Sequence, residues 1–143
     1  MNAHELTIPE VLRDCKTIAV VGLSSNPEKP SHEVAAYLQG HGYRIVPVNP
    51  TYAGNSILGE HCYPTLTQAA RSLAEQGVHI DVADCFRQPQ YMAEIAAEAV
   101  AVRARVLWMQ LSIINEAAAA VARRAGLTVV MDRCLKIEHM RHS

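Results

Sequence analysis

Charge of neither sign dominates this 143-residue chain: 13 lysines and arginines are set against 14 aspartates and glutamates, a formal net charge of -1. That balance, with a pI near 6.6, excludes a nucleic-acid polyanion or an anionic membrane as the main partner, because both are held through concentrated positive charge. No apolar run approaches the roughly 20 residues needed to span a bilayer. The opening Met1-Asn2-Ala3-His4-Glu5 has no basic stretch leading into apolar residues, so no export leader is expected and the chain reads as cytoplasmic. Cysteine pairs are missing too. Cys15, Cys62, Cys85 and Cys134 are scattered with no Cys-x-x-Cys spacing, which suits reduced thiols in a cytosolic protein rather than a disulfide framework.

What is present fits one globular domain, residues 1–143, with 50% hydrophobic and 19% charged residues. It can bury one core and leaves no room for a second catalytic domain. Short β-like runs alternate with segments of helical period, without repeats, low-complexity tracts or linkers. The strands are expected at Thr17 to Gly22, Tyr43 to Val48, His79 to Asp84, Arg105 to Met109 and Leu127 to Met131. Several are near-continuous Val, Ile and Leu, the pattern of a parallel sheet covered on both faces. Between them, Pro9 sits in the first turn of a lead-in helix, and Ser31 caps a helix carrying Val34, Ala35 and Leu38. Thr67 caps one that buries Ala70, Leu73 and Ala74 and stops at Gly77. Pro89 opens another with Met92, Ile95, Ala96 and Ala99 on one face, and Asn115 caps the last with Ala118, Val121, Ala122 and Ala125, ended by Gly126. Right-handed crossovers then give an α/β fold with a doubly wound parallel sheet of about five strands, Rossmann-like.

In such a sheet ligands bind beyond the carboxyl ends of the strands. The first of those ends is the most informative. From Ile18 to Val21 the chain is apolar, it breaks at Gly22, and it restarts as a helix at Ser31, so the intervening loop reads as a phosphate cradle backed by a helix amino end. The other strand ends contribute Pro47-Val48-Asn49-Pro50, Cys85-Phe86-Arg87, Gln110 and Asp132-Arg133-Cys134. A nicotinamide dinucleotide is the first ligand to test and fits poorly. Its fingerprint puts a second glycine where Ser24 stands, and an acid for the ribose where the second strand ends in Asn49-Pro50. No Ser/His/Asp spacing, nucleophile elbow or P-loop lysine is present, so no catalytic residue is assigned. His61-Cys62 and Glu138-His139 lack metal-ligand spacing, and no metal is expected. Asp84 reads as a strand-end hydrogen-bonding residue and Trp108 as core.

Val21-Gly22-Leu23-Ser24, Pro30-Ser31, Gly42-Tyr43, Pro47-Val48-Asn49-Pro50, Leu58-Gly59-x-x-Cys62-Tyr63-Pro64, Phe86-Arg87-x-Pro89, Trp108-x-Gln110 and Met131-Asp132-Arg133-Cys134-x-x-x-Glu138-His139 occur in order from about Thr17 to His139. Together they resemble the small single-domain coenzyme A-binding proteins, which are similar in turn to the CoA-binding domain of the succinyl-CoA synthetase α subunit. The resemblance implies CoA or an acyl-CoA at the carboxyl edge. Gly22, Ser24 and Ser31 would serve the pyrophosphate, in a cofactor-binding loop that also takes in Leu23, Lys29 and Pro30; Val48, Asn49 and Pro50 would border the adenosine, and Phe86, Arg87 and Gln110 would line the pantetheine path. The synthetases' phosphohistidine domain has no counterpart, which implies a carrier, sensor or partner subunit without catalysis of its own, and leaves a protein partner or homo-oligomer open. The alternatives are an enzyme using Cys134 for acyl or thiol transfer, and a nicotinamide-dependent oxidoreductase. Cys134 reads either as a reactive thiol beside Arg133 or, preferably, as a small residue filling space at the start of a terminal helix.

Overall fold

The computed structural model describes residues 5–143; Met1 to His4, on which the expectation of no export leader partly rests, lie outside the described residues. Thr7 opens the first helix, α1 (Ile8–Asp14), through a reciprocal cap in which its hydroxyl accepts from the Glu10 N–H and the Glu10 carboxylate accepts from its own. There follow β1 (Thr17–Val21), α2 (Pro30–Gly40) and β2 (Arg44–Val48), then a small hairpin of β3 (Ser56–Ile57) and β4 (Glu60–His61), and α3 (Leu66–Glu75). The second half alternates strictly: β5 (Val82–Cys85), α4 (Met92–Ala101), β6 (Val106–Met109), α5 (Glu116–Arg124), β7 (Thr128–Val130) and α6 (Leu135–His142).

The sheet has the order β2-β1-β5-β6-β7, with every pair parallel, so the doubly wound Rossmann-like fold is as expected. From β1 the chain moves out to β2 and then returns to the other side of β1 at β5. The strand order therefore reverses between β1 and β5, and a crevice opens there. Alternation along the strands feeds two cores. Ala19, Val21, Ala83 and Leu107 pack with residues of α3, α4 and α5. Ile18, Val20, Val82 and Trp108 pack with residues of α1, α2 and α6. Trp108 is wholly buried as expected, and its indole N–H donates to the Arg133 carbonyl at 2.8 Å.

Several local expectations are corrected. Ser31 does not cap α2: the helix starts at Pro30 with Lys29 at the cap position, because proline is preorganised for the first helical residue. The cap of α3 is Thr65, whose hydroxyl accepts from the Gln68 N–H, while Thr67 is drawn to Glu98 on α4. Helix α3 consequently buries Leu66, Ala69 and Leu73 and leaves Ala74 exposed. Similarly α5 buries Ala118, Ala119 and Ala122, with Val121 and Ala125 outside. Strand β5 begins at Val82 rather than His79, since the Asp81 carboxylate is used to accept from the Lys16 and Thr17 N–H groups at the head of β1. On the open side of β7, the Val129 N–H donates to the Glu5 carboxylate, and the Val129 carbonyl accepts from Arg123, which also pairs with Glu5.

Candidate functional site

The loop after β1 is tied down from both sides. Gly22, at φ +95°, donates its N–H to the Val48 carbonyl at 2.7 Å. Asn49 reaches back from the end of β2, donating from Nδ2 to the Leu23 carbonyl and accepting at Oδ1 from the Thr51 N–H, both at 3.0 Å. Asn49 thus holds the loop with both ends of its amide, and Leu23 is an anchor whose side chain is wholly buried. Further along, Ser24 accepts from the Asn26 N–H, Asn26 from the Glu28 N–H, and the Ser24 N–H donates to Ser31 Oγ at 3.0 Å. The Ser31 hydroxyl is therefore a brace inside the loop. Its own N–H has no partner among the described residues; first-turn amides point out along the helix axis, where the dipole favours an anion. Lys29, exposed at the same turn, has no ion pair among the described residues and adds positive charge.

Behind this loop a pocket of about 230 Å³ opens between the ends of β1 and β2 and the flanks of α3 and α4. Four predicted residues, Gly22, Val48, Pro50 and Arg87, meet there. The Arg87 guanidinium stacks over the Tyr91 ring, 4.2 Å from its centroid, which holds a cation flat at the rim. Leu66 and Ile95 give apolar walls, and Glu94 and Glu98 bring carboxylates. Two acids repel a phosphate but accept from ring N–H donors, so the pocket suits a flat heterocycle and leaves the phosphates to the loop. Sequence reasoning missed Tyr52, Tyr91, Glu94 and Glu98. Tyr52 belongs with the loop: hydrogen bonding from Ser24, then from Ser25, holds its phenol below the ordinary value.

The remaining predicted residues lie across the switch point. Phe86 is half-buried after β5. Gln110 follows β6 and donates from Nε2 to Asp84 Oδ1 at 2.6 Å. Asp84 is not at a strand end: it is third in β5 and wholly buried, and burial pushes its carboxyl up to about 7. Cys134 is the cap residue of α6, half-buried, and lines a separate cleft with Pro30, Val34 and Lys136. The other thiols are buried; burial pushes Cys15 up to about 11 and raises Cys62 and Cys85. A disulfide reagent such as DTNB is accordingly expected to modify Cys134 alone in the folded protein and all four cysteines after denaturation, read from the released chromophore. More than one rapid equivalent from the native state would contradict this burial pattern.

His61 is exposed, whereas Glu138 is buried between Arg133 and Arg141, and His139 bonds to the Tyr37 hydroxyl at 2.8 Å. Among the described residues no three ligand-type side chains gather as a metal centre. An opening of about 500 Å³ at the opposite edge, lined by Val100, Arg103, Ala125 and Gly126, collects the carboxyl ends of α4 and α5. Their dipoles disfavour an anion there, although Arg103 and Arg105 also line the opening. The partnerless first-turn amide of α2 and the exposed Lys29 lie instead at the carboxyl edge.

A family model described as a CoA binding domain matches residues 16–140. The chain belongs to that family. This CoA-binding domain is 38% identical over 138 residues to the uncharacterized protein YneT of Bacillus subtilis, covering 96% of each chain. Among solved structures it is similar to a Thermus thermophilus protein, cell-free ID.343, with a TM-score of 0.85 at 33% identity over 96% of this chain and 100% of that one. A hypothetical protein of Pyrococcus horikoshii OT3 gives 0.84 at 35% identity over 99% and 97%. Membership of the CoA-binding domain family supports a CoA-related small-molecule ligand. No helix among the described residues is long and apolar enough to cross a membrane.

Proposed function

We propose that this protein binds coenzyme A or an acyl-CoA across the carboxyl edge of its sheet and serves as a carrier, sensor or partner subunit, without catalysing a reaction of its own. The observation that carries the reading is the division of labour at the switch point. A braced loop ends in the partnerless Ser31 amide, and a separate heterocycle-sized pocket is rimmed by Arg87. A charge-assisted hydrogen bond to a diphosphate contributes about 1.5–3 kcal/mol, so a few such contacts give useful affinity. A nicotinamide dinucleotide is disfavoured because Asn49, standing where an acid would hold the ribose, spends its amide on Leu23 and Thr51.

Thermal-shift titration against CoA, acetyl-CoA, NAD, NADP and ATP tests the reading, since a ligand of the folded state raises stability as RT ln(1 + [L]/Kd). At a hundredfold excess over Kd the gain is about 2.7 kcal/mol, and CoA or acetyl-CoA is expected to give the largest shift. A shift with NAD and none with CoA or acetyl-CoA would overturn the assignment.

A further inference from the structure

Asp84 is the costliest polar residue in the core. It is wholly buried on the middle strand, flanked in register by Val20 and Trp108. Oδ1 accepts from Gln110, and Oδ2 is buried with no partner among the described residues. An orphaned carboxyl oxygen carries its full desolvation penalty, and a leucine or asparagine would fold with less. Gln110 begins the loop after β6, its backbone N–H donating to the Cys85 carbonyl. Its Oε1 has no hydrogen-bond partner among the described residues, and it supplies part of the slight exposure Gln110 keeps at the carboxyl edge, unlike the fully enclosed Asp84 Oδ2.

A glutamine amide has two ends of nearly the same shape, and its neighbours decide which end faces where. We propose that Asp84 is a positioning residue: its carboxylate holds the nitrogen end of the Gln110 amide inward, so that Oε1 faces the ligand and accepts a hydrogen bond from an amide N–H of the coenzyme's arm. This rests on the CoA reading above.

The consequence is a proton-dependent polarity at one point of the site. A carboxylate can only accept. When Asp84 takes a proton from solvent, Oδ2 has no acceptor to give it to, so the proton is used at Oδ1 and donated to Gln110 Oε1. The amide then turns over and shows its N–H₂ end to the ligand. Burial sets this titration near neutrality, with the Gln110 bond opposing. Charged groups on the helices covering this face pair with one another: Arg13 with Asp14 on α1, Glu33 with Lys136, and Glu138 with Arg133 and Arg141. His139 bonds to Tyr37; of the thiols in or against this core, Cys15 and Cys62 are raised by burial and Cys134 is half-buried at the head of α6, while Cys85, next to Asp84 in the chain, points to the other face and is likewise raised by burial.

The test is the Kd of CoA by calorimetry from about pH 5.5 to 8.5 for the wild type, Asp84→Asn and Gln110→Met, with Trp108 fluorescence confirming the fold. Dividing profiles measured with one ligand cancels the ligand's own ionisations. Relative to either variant, wild-type affinity is expected to rise about fivefold across this range, with its midpoint near neutrality, the worth of one ordinary hydrogen bond. With adenosine bisphosphate, which lacks the arm, the ratios are expected to be flat. Parallel CoA profiles in wild type and Asp84→Asn, a step that persists in Gln110→Met, or the same step with adenosine bisphosphate would each overturn the proposal while leaving CoA binding intact. Should Asp84→Asn not fold, Gln110→Met carries the test alone. Absence of CoA binding by the wild type at every pH overturns the CoA reading itself, and this inference with it.

Discussion

Asp84→Asn is expected to be more stable than the wild type at pH 8 and to lose much of the wild type's dependence on pH between about 4 and 7. The sign follows from proton binding. Burial raises the folded-state value of Asp84 from 3.8 to about 7, so in that window the native state holds a proton that the unfolded chain has released. Stability therefore falls as pH rises through the window and levels off above it. A shift of this size corresponds to about 4 kcal/mol of lost stability at alkaline pH. Asparagine keeps the shape and can bond to Gln110 without a charge, but it leaves its other polar atom unpaired. A net gain of roughly 2 kcal/mol at pH 8 is expected, or about 4–8 °C in Tm. Urea denaturation of both proteins at pH 5 and pH 8 measures it. Identical differences between the two proteins at both pH values would show that Asp84 does not titrate in the fold.

Gly22→Ala is expected to weaken CoA binding by at least about tenfold, or ~1.4 kcal/mol, and to cost stability as well. Two costs coincide at this position. The backbone φ of +95° lies where side chains are strained, and an added Cβ would stand 3.1 Å from Arg87 Cδ and 3.3 Å from the Phe86 carbonyl carbon. The Arg87 side chain can swing away, but the Phe86 backbone is held by its N–H bond to the Val21 carbonyl. Strain at such a residue costs roughly 1–3 kcal/mol, and relief comes by displacing Arg87 from the pocket rim, where its charge is needed. Gly22→Val should be worse on both counts, its branched side chain having less room still. Arg87→Ala separates the two effects: it should weaken CoA binding while leaving Tm within a few degrees. Undiminished CoA affinity in folded Gly22→Ala would show that this loop and rim are not where the ligand is held.

The architecture was legible because it is written in periodicity and punctuation. Five β-like runs, several of them near-continuous apolar, locate the five strands, and the family motifs mark their carboxyl ends. What escaped depends on contacts far apart in sequence. Thr65 and Thr67 are equally good caps on paper, and Glu98, 31 residues from Thr67, decides between them. The β3–β4 hairpin has strands too short for any alternation. Its turn, Leu58-Gly59, has positive φ at both residues, the geometry of a two-residue hairpin turn, but only the glycine announces it. At the site, Gly22 and Arg87 could be read from motif and strand end. Glu94 and Glu98 look like the outward carboxylates of any helix, and only the packing of α4 beside the ends of β1 and β2 brings them to the pocket lining. Asp84 was read as a residue that ends a strand, because an unpaired acid inside a parallel sheet is too costly to expect without knowing that Gln110 lies beside it.

The Glu5–Arg123 pair on the open side of β7 bears on how the molecule behaves at high concentration. An outermost strand with unsatisfied N–H and carbonyl groups is a template on which another chain can add. Here the central outward pair of the strand, on Val129, is already occupied by a carboxylate and a guanidinium. A second copy could not zip onto this edge without first breaking an ion pair and burying its charges. Addition of a strand at β7 therefore has to displace charged side chains, the kind of device by which edge strands are blunted without a covering helix.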